Sequence, residues 1–222
     1  MRGSAFPALA VLFSMLAHGV ATAQDRSVSI RQSGSDNAAT IEQVGATRSA
    51  VAVEQLGSDL TARVTDIGSD TEFGLRQEGV EQTAIVRLDA SNTVGRIDQR
   101  GGINEALVTV AGVDNSFTVD QSSPGSAIAI GTGNSLVLSQ SGGTNLATLS
   151  QNGTANAILL DQQVGGNTAD LAQVGDGLVL DVSQFGGGNT LTGTQTGESA
   201  REIRVEQTGG ATASITTIGP AR

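Results

Sequence analysis

The chain contains no cysteine, tryptophan or tyrosine. It has no lysine either, and its single histidine is His18. Without cysteine there are no disulfides and no thiolate metal ligands. Without Cys, Lys, Tyr or a histidine beyond residue 18, most nucleophile and base pairings of covalent catalysis are missing. Phenylalanine is the only aromatic type, with 5 copies in 222 residues. A thick irregular core normally leans on large aromatic side chains, so the composition argues for a thin and regular one.

The first 23 residues read as an export leader. Arg2 gives the positive start, Ala8 to Ala17 an apolar core, and Ala21-Thr22-Ala23 a small-x-small cleavage site. The apolar run is too short to span a bilayer, and no longer one follows it. Cleavage would remove both methionines, His18, Phe6 and Phe13. The remaining chain, with 11 Arg against 22 acidic residues, carries a net charge of −11. That balance argues against nucleic acid or an anionic membrane as partner.

What the chain has in quantity is a pulse. Gln140, Gln151, Gln162, Gln173, Gln184 and Gln195 stand 11 residues apart without a slip. Asn145, Asn156, Asn167 and Asn189 follow their Gln by five places, and a glycine follows each Gln by two or three. Upstream, Gln32, Gln43, Gln55, Gln77, Gln99 and Gln121 keep the frame with single-residue slips, and Gln207 continues it downstream. Asp66, Leu88 and Val110 stand at beats that lack Gln. A short period held this strictly marks a repeat architecture.

Between the glycines the pattern has period 2, which means strand. The second and fourth places before each Gln are apolar, as in Val51/Val53, Phe117/Val119 and Leu136/Leu138. The first and third are mostly polar, as in Glu42/Thr40 and Asp120/Thr118. One face is therefore dry, and Gln falls on that face. A lone buried amide is costly. A stack of strands about 4.8 Å apart removes the cost, because each amide donates to the next. Eleven residues make a strand and a turn, so 22 close one coil. The reading is all-β: a β-solenoid of about 22 residues per coil with two facing sheets, cross-β when polymerised.

The chain thus divides into the leader, 1–23, and one array, 24–222. The array is most regular and least charged over 134–197. It is expected to be irregular around 122–134, where Gln121 and Gln140 are 19 residues apart and Pro124 intervenes. Residues 24–121 hold 23 charged side chains; 122–197 hold four: Asp161, Asp170, Asp176 and Asp181. Those four are read either as solvated surface or as gatekeepers that slow premature pairing of an amyloid-prone tract. The coil ends, lacking caps, keep open ladders that favour self-association.

The runs Gln32-x-Gly34-x-x-Asn37-x-Ala39-x-x-x-Gln43 and Gln140-x-Gly142-x-x-Asn145-x-Ala147-x-x-x-Gln151 match the curlin repeat at every fixed place. The unit from Gln151 to Gln162 has Ile158 at the Ala place, and the next has its glycine shifted to Gly165. The chain resembles the curlin family over essentially its whole length after the leader. The resemblance implies a secreted subunit of curli-like functional amyloid fibres on a Gram-negative surface, serving biofilm matrix, cell adhesion and surface colonisation. It also implies export through an outer-membrane pore, self-polymerisation, and a second curlin subunit as partner. A minor nucleator that templates growth, or a monomeric solenoid adhesin, are the alternatives. The chain departs from family pattern in having no Tyr, more repeats, and only Gln24 to Arg26 between leader and first repeat.

No catalytic, cofactor or metal site is expected. The carboxylates scatter over the outward face instead of pairing as glycosidase chemistry requires. Gly175-Asp176-Gly177 and Gly186-Gly187-Gly188-Asn189 superficially resemble a calcium β-roll, but that motif needs a nine-residue period. Gly, Asn and Asp tolerate positive φ, so turn chemistry explains the same residues. The triple glycine lacks the following Lys and helix of a phosphate loop.

Overall fold

A computed structural model describes residues 10–14, 25–122, 126–130 and 132–219; for 10–14, 126–130 and 199–200 it describes the backbone alone. Every element is a β-strand. In chain order these are β1 (Ala10–Ser14), β2 (Arg26–Ser35), β3 (Ala38–Gln43), β4 (Ser49–Ser58), β5 (Thr61–Asp66) and β6 (Thr71–Val80). Next come β7 (Thr83–Ser91), β8 (Thr93–Gly102), β9 (Glu105–Val113), β10 (Ser116–Gln121), β11 (Ser126–Ile130) and β12 (Ser135–Ser141). The last are β13 (Leu146–Asn152), β14 (Ala157–Gln163), β15 (Thr168–Phe185), β16 (Thr190–Thr208) and β17 (Thr212–Ile218).

Among the described residues all pairings are parallel; from β1 to β13 each strand pairs with the next but one, and β14 to β17 pair consecutively because β15 and β16 each span both sheets. The first sheet stacks β2, β4, β6, β8, β10, β12 and β14, then the second halves of β15 and β16. The second stacks β3, β5, β7, β9, β11 and β13, then the first halves of β15 and β16, then β17. β15 and β16 run unbroken around the corner and so join the two sheets. The fold is the two-sheet β-solenoid of about 22 residues per coil that the period implies.

The inward faces differ. The second sheet offers an alanine column, Ala39, Ala62, Ala84, Ala106, Ala147 and Ala169. The first sheet fills the space with Val51, Phe73, Phe117, Leu136 and Ile158. The alanine column lies beside the first-sheet glutamines, whose amides reach the carbonyls just before it, Gln55 to Ala38 and Gln77 to Thr61, each at 3.1 Å. Gly95 lies in register between Phe73 and Phe117, whose rings stack 5.9 Å apart. A Cβ at Gly95 would come within 2.2 Å of the Phe117 ring. At the turns, glycines stack on glycines: Gly57, at φ 143°, would press a Cβ to 1.8 Å from the Gly79 carbonyl oxygen. Only glycine fits there.

The segment read as the leader's apolar core contributes β1, which stacks in parallel on β3 from Ala10↔Ala38 to Ser14↔Glu42. The rest of the leader lies outside the described residues, as do Pro124 and part of the stretch expected to be irregular. Across that stretch Gln121 stays in register with Gln140, and within it Ser126–Ile130 pairs in register with β9, Val110 against Ile130.

Candidate self-assembly ladder

The glutamines divide between two ladders. In the first sheet, Gln32, Gln55, Gln77, Gln99, Gln121, Gln140, Gln162, Gln184 and Gln207 occupy one column. Each donates its Nε2–H to Oε1 of the next, at 2.8 Å for Gln55 to Gln77, 2.9 Å for Gln77 to Gln99 and 2.7 Å for Gln162 to Gln184. The second amide proton crosses to the other sheet: Gln77 donates to the Thr61 carbonyl at 3.1 Å, Gln99 to Thr83 at 3.2 Å, Gln184 to Thr168 at 3.1 Å. One side chain therefore links successive coils and ties the two sheets together. These amides are buried and paired, which answers the cost of placing them on the dry face.

The second sheet holds the broken ladder. Its column reads Gln43, Asp66, Leu88, Val110, Ile130, Gln151, Gln173, Gln195 and Thr217. Every beat without Gln falls here. Gln151 donates to Gln173 at 3.1 Å and Gln173 to Gln195 at 2.9 Å. Gln43 donates instead to the Asp66 carboxylate at 3.2 Å, where Gly68 N–H also donates. Burial raises the Asp66 pKa despite these bonds.

Asparagine forms a second device at the corners. The Oδ1 of Asn145, Asn167 and Asn189 accepts the backbone N–H one coil on, from Asn167 at 3.1 Å, Asn189 at 3.1 Å and Ala211 at 2.9 Å. Their Nδ2–H groups close the preceding turn, donating to the carbonyls of Ser141, Gln163 and Phe185. Asn156 serves Leu178 in the same way in the first sheet, and Asn37 serves Leu60 in the second. Asn104, Asn115, Asn134 and Gln82 are also buried at these corners. The sequence reading missed them. Asn104 and Gln82 do follow Gln99 and Gln77 by five places, but Asn115 follows the degenerate beat Val110 and is masked by it.

The four central aspartates do not act alike. Asp176 accepts from the Thr154 N–H at 2.8 Å and hydroxyl at 2.7 Å, which lowers its pKa. Asp181 lies 3.7 Å from Arg204, Asp161 accepts from Gln163 at 2.8 Å, and Asp170 is exposed. Asp98, on the outward parity, departs from the wet-face rule. It is 3% exposed beneath Arg76, Arg96 and Arg100, and its Oδ1 has no hydrogen-bond partner. Among the described residues no three His, Asp or Glu side chains gather to hold a metal.

Among the described residues the first ladder has no rung beyond Gln32 or Gln207, while β1 stacks on β3 in the second sheet. Gln32 Oε1 and Gln43 Oε1, the first acceptors of their columns, are buried without a partner, as is Thr217 Oγ1 at the far end. At Gln207 the proton that would go to a next coil turns back to the Ala211 carbonyl at 3.1 Å. The inward side chains of β2 and β17 are only half-buried, and among the described residues no further strand pairs on their outer edges. Comparison with curated proteins and with solved structures finds no match. A family model described as "Curlin associated repeat" matches residues 91–122, the stretch from the end of β7 through β10. The matched stretch is similar to the curlin repeat and is built on the same ladder columns as the coils around it.

Proposed function

We propose that this chain is the structural subunit of an extracellular curli-type amyloid fibre, acting by stacking coil on coil and not as an enzyme. The observation that carries this is the polarity of the open ladders. All donors in the first column point toward the C-terminal end, where the last, Gln207, is turned back on the Ala211 carbonyl, and the N-terminal end carries an unpartnered oxygen. A second copy stacked in register receives Gln207 Nε2–H on its Gln32 Oε1, and Thr217 Oγ1–H on its Gln43 Oε1. Two buried unsatisfied acceptors, each costing about 1–3 kcal/mol, are relieved in one step, and the half-buried apolar residues of β2 and β17 are covered.

In this reading the leader is removed after Ala23 during export. Its strand β1 leaves with it, which frees the edge of β3 for the next copy. The chain crosses the outer membrane of a Gram-negative cell through a pore, polymerises outside, and starts on a second curlin subunit. The fibre serves biofilm matrix, adhesion and surface colonisation. Asp161 and Asp170 act as gatekeepers on the outward face.

The test uses residues 24–222, diluted from denaturant. The expected course is a lag, then dye-binding fibres with a cross-β spacing of about 4.8 Å. A chain that folds to stable β-structure and remains monomeric for weeks contradicts the proposal and favours a solitary solenoid adhesin.

A further inference from the structure

The outward face of the first sheet changes character along the rod. Three places before each ladder Gln, the column reads Ser29, Ala52 and Gly74 in β2, β4 and β6. The same column reads Val137 and Leu159 in β12 and β14. The small residues floor a groove of about 450 Å³, and a Cβ added at Gly74 meets nothing within 4 Å. Val137 and Leu159 form a ridge, 38% and 44% exposed. In the neighbouring column Arg31 and Arg76 flank the groove. Asp120 and Asp161 hold the same column beside the far strands, and among the described residues neither forms a salt bridge.

The geometry points to a lateral interface with a second copy of this chain, related by a two-fold axis along β8. Such an axis keeps strand direction and reverses coil order, so every contact is made twice. β8 then faces β8, β6 faces β10, β4 faces β12 and β2 faces β14. Val137 enters the groove over Ala52, Leu159 over Ser29, and Thr118 sits over Gly74. Arg31 meets Asp161 of the second copy and Arg76 meets its Asp120. Val94, 54% exposed, meets Val94.

Charge selects this register. Shifted by one coil, with β8 on β10, the same faces set Glu54 against Asp161 and Asp98 against Asp120, and like charges at close range are repulsive. The patch is roughly 30 Å long by 15–20 Å wide, small for a lasting dimer of single subunits. Pairing is therefore a property of the fibre, where each stacked copy repeats the patch.

This inference rests on the fibre reading, and mass per length by scanning transmission electron microscopy separates the two. Wild-type fibres are expected at twice the mass per length of a single coil stack. Gly74→Leu with Ala52→Leu fills the groove on the outward face, away from the core, and is expected to halve the value with elongation rate unchanged within about twofold. Leu159→Asp on the ridge is expected to do the same. Arg31→Asp is expected to give single filaments, and adding Asp161→Arg to restore pairs. Wild-type fibres of single mass, variants that stay paired, or a charge swap that fails to restore pairing overturn the lateral interface and leave the fibre standing. Absence of fibres in every variant and in the wild type overturns both.

Discussion

Gln121 donates to Gln140 at 3.1 Å across 19 residues, the same link that neighbouring coils make across 22. The connection between them is three residues shorter, yet strand register and amide contact are kept. The first-sheet ladder therefore sets the pitch, and the loop adapts to it. An interior rung should accordingly be worth more than a terminal one. Gln77→Leu takes one of the two acceptors of Gln55 Nε2 and leaves Gln99 Oε1 buried without a donor, a loss of about 2–6 kcal/mol at the usual 1–3 kcal/mol for each lost partner. Gln195→Leu, whose next rung is Thr217, orphans one ladder partner, Gln173, and should cost about half. Denaturant dissolution of fibres of each variant gives the comparison; equal effects would assign no special place to the continuous column.

Gly95 leaves room for the Phe117 ring, which a Cβ there would approach to 2.2 Å. Gly95→Val puts a branched side chain against the Phe117 ring and should cost about 1–3 kcal/mol as overpacking. Phe117→Leu in the same chain should recover part of that loss. The pair is expected to be non-additive, since the two residues share one space. Additive losses in chemical denaturation would show that the glycine is not there to seat the ring.

Asp66 makes acid stabilising. Burial raises its pKa above the unfolded value of about 3.9, so the folded chain holds its proton more tightly. Stability is then greatest below the unfolded pKa and falls as pH rises through the folded one. Asp176 runs the other way: Thr154 lowers its pKa, and its contribution is lost as pH falls through the folded value. Fibre stability measured from neutrality down to the carboxylate range should rise in wild type relative to Asp66→Asn. Asp66→Gln keeps an acceptor for Gln43 without a buried carboxylate and should raise stability at neutrality. A wild-type profile parallel to that of Asp66→Asn would contradict the assignment.

Gatekeeping by the outward aspartates has a kinetic signature. Asp161→Asn with Asp170→Asn removes charge without touching a ladder, and the lag before fibre growth should shorten several-fold while final stability stays put. Asp176→Asn should instead loosen the turn that Thr154 holds. Unchanged lag in the first variant would return Asp161 and Asp170 to plain solvated surface.

The strand period, coil length and buried glutamine column are legible in the sequence because each follows from spacing alone. The division into two ladders is not read from a run of beats taken one at a time. Only when alternate beats are assigned to opposite sheets do Asp66, Leu88 and Val110 fall into one column, and the Gln32 to Gln207 column emerge complete. Asn115 is lost for the same reason, since its beat lacks Gln. The burial of Asp98 is beyond period counting altogether, because it depends on Arg76, Arg96 and Arg100 arriving from three places on the outward face. Gly95 reads as a gap in the apolar pattern until Phe73 and Phe117 are seen to lie on either side of it.

The central claim is that one chain supplies many rungs of its own ladder. Solid-state NMR on fibres grown from labelled chains diluted into unlabelled ones tests it directly, through side-chain amide contacts of Gln55 with Gln77 and of Gln77 with Gln99. In a solenoid these contacts are internal to a chain, and their intensity per labelled chain should survive dilution. Loss of the contacts on dilution, with each glutamine instead meeting its own copy in a neighbouring chain of the undiluted fibre, would contradict the account.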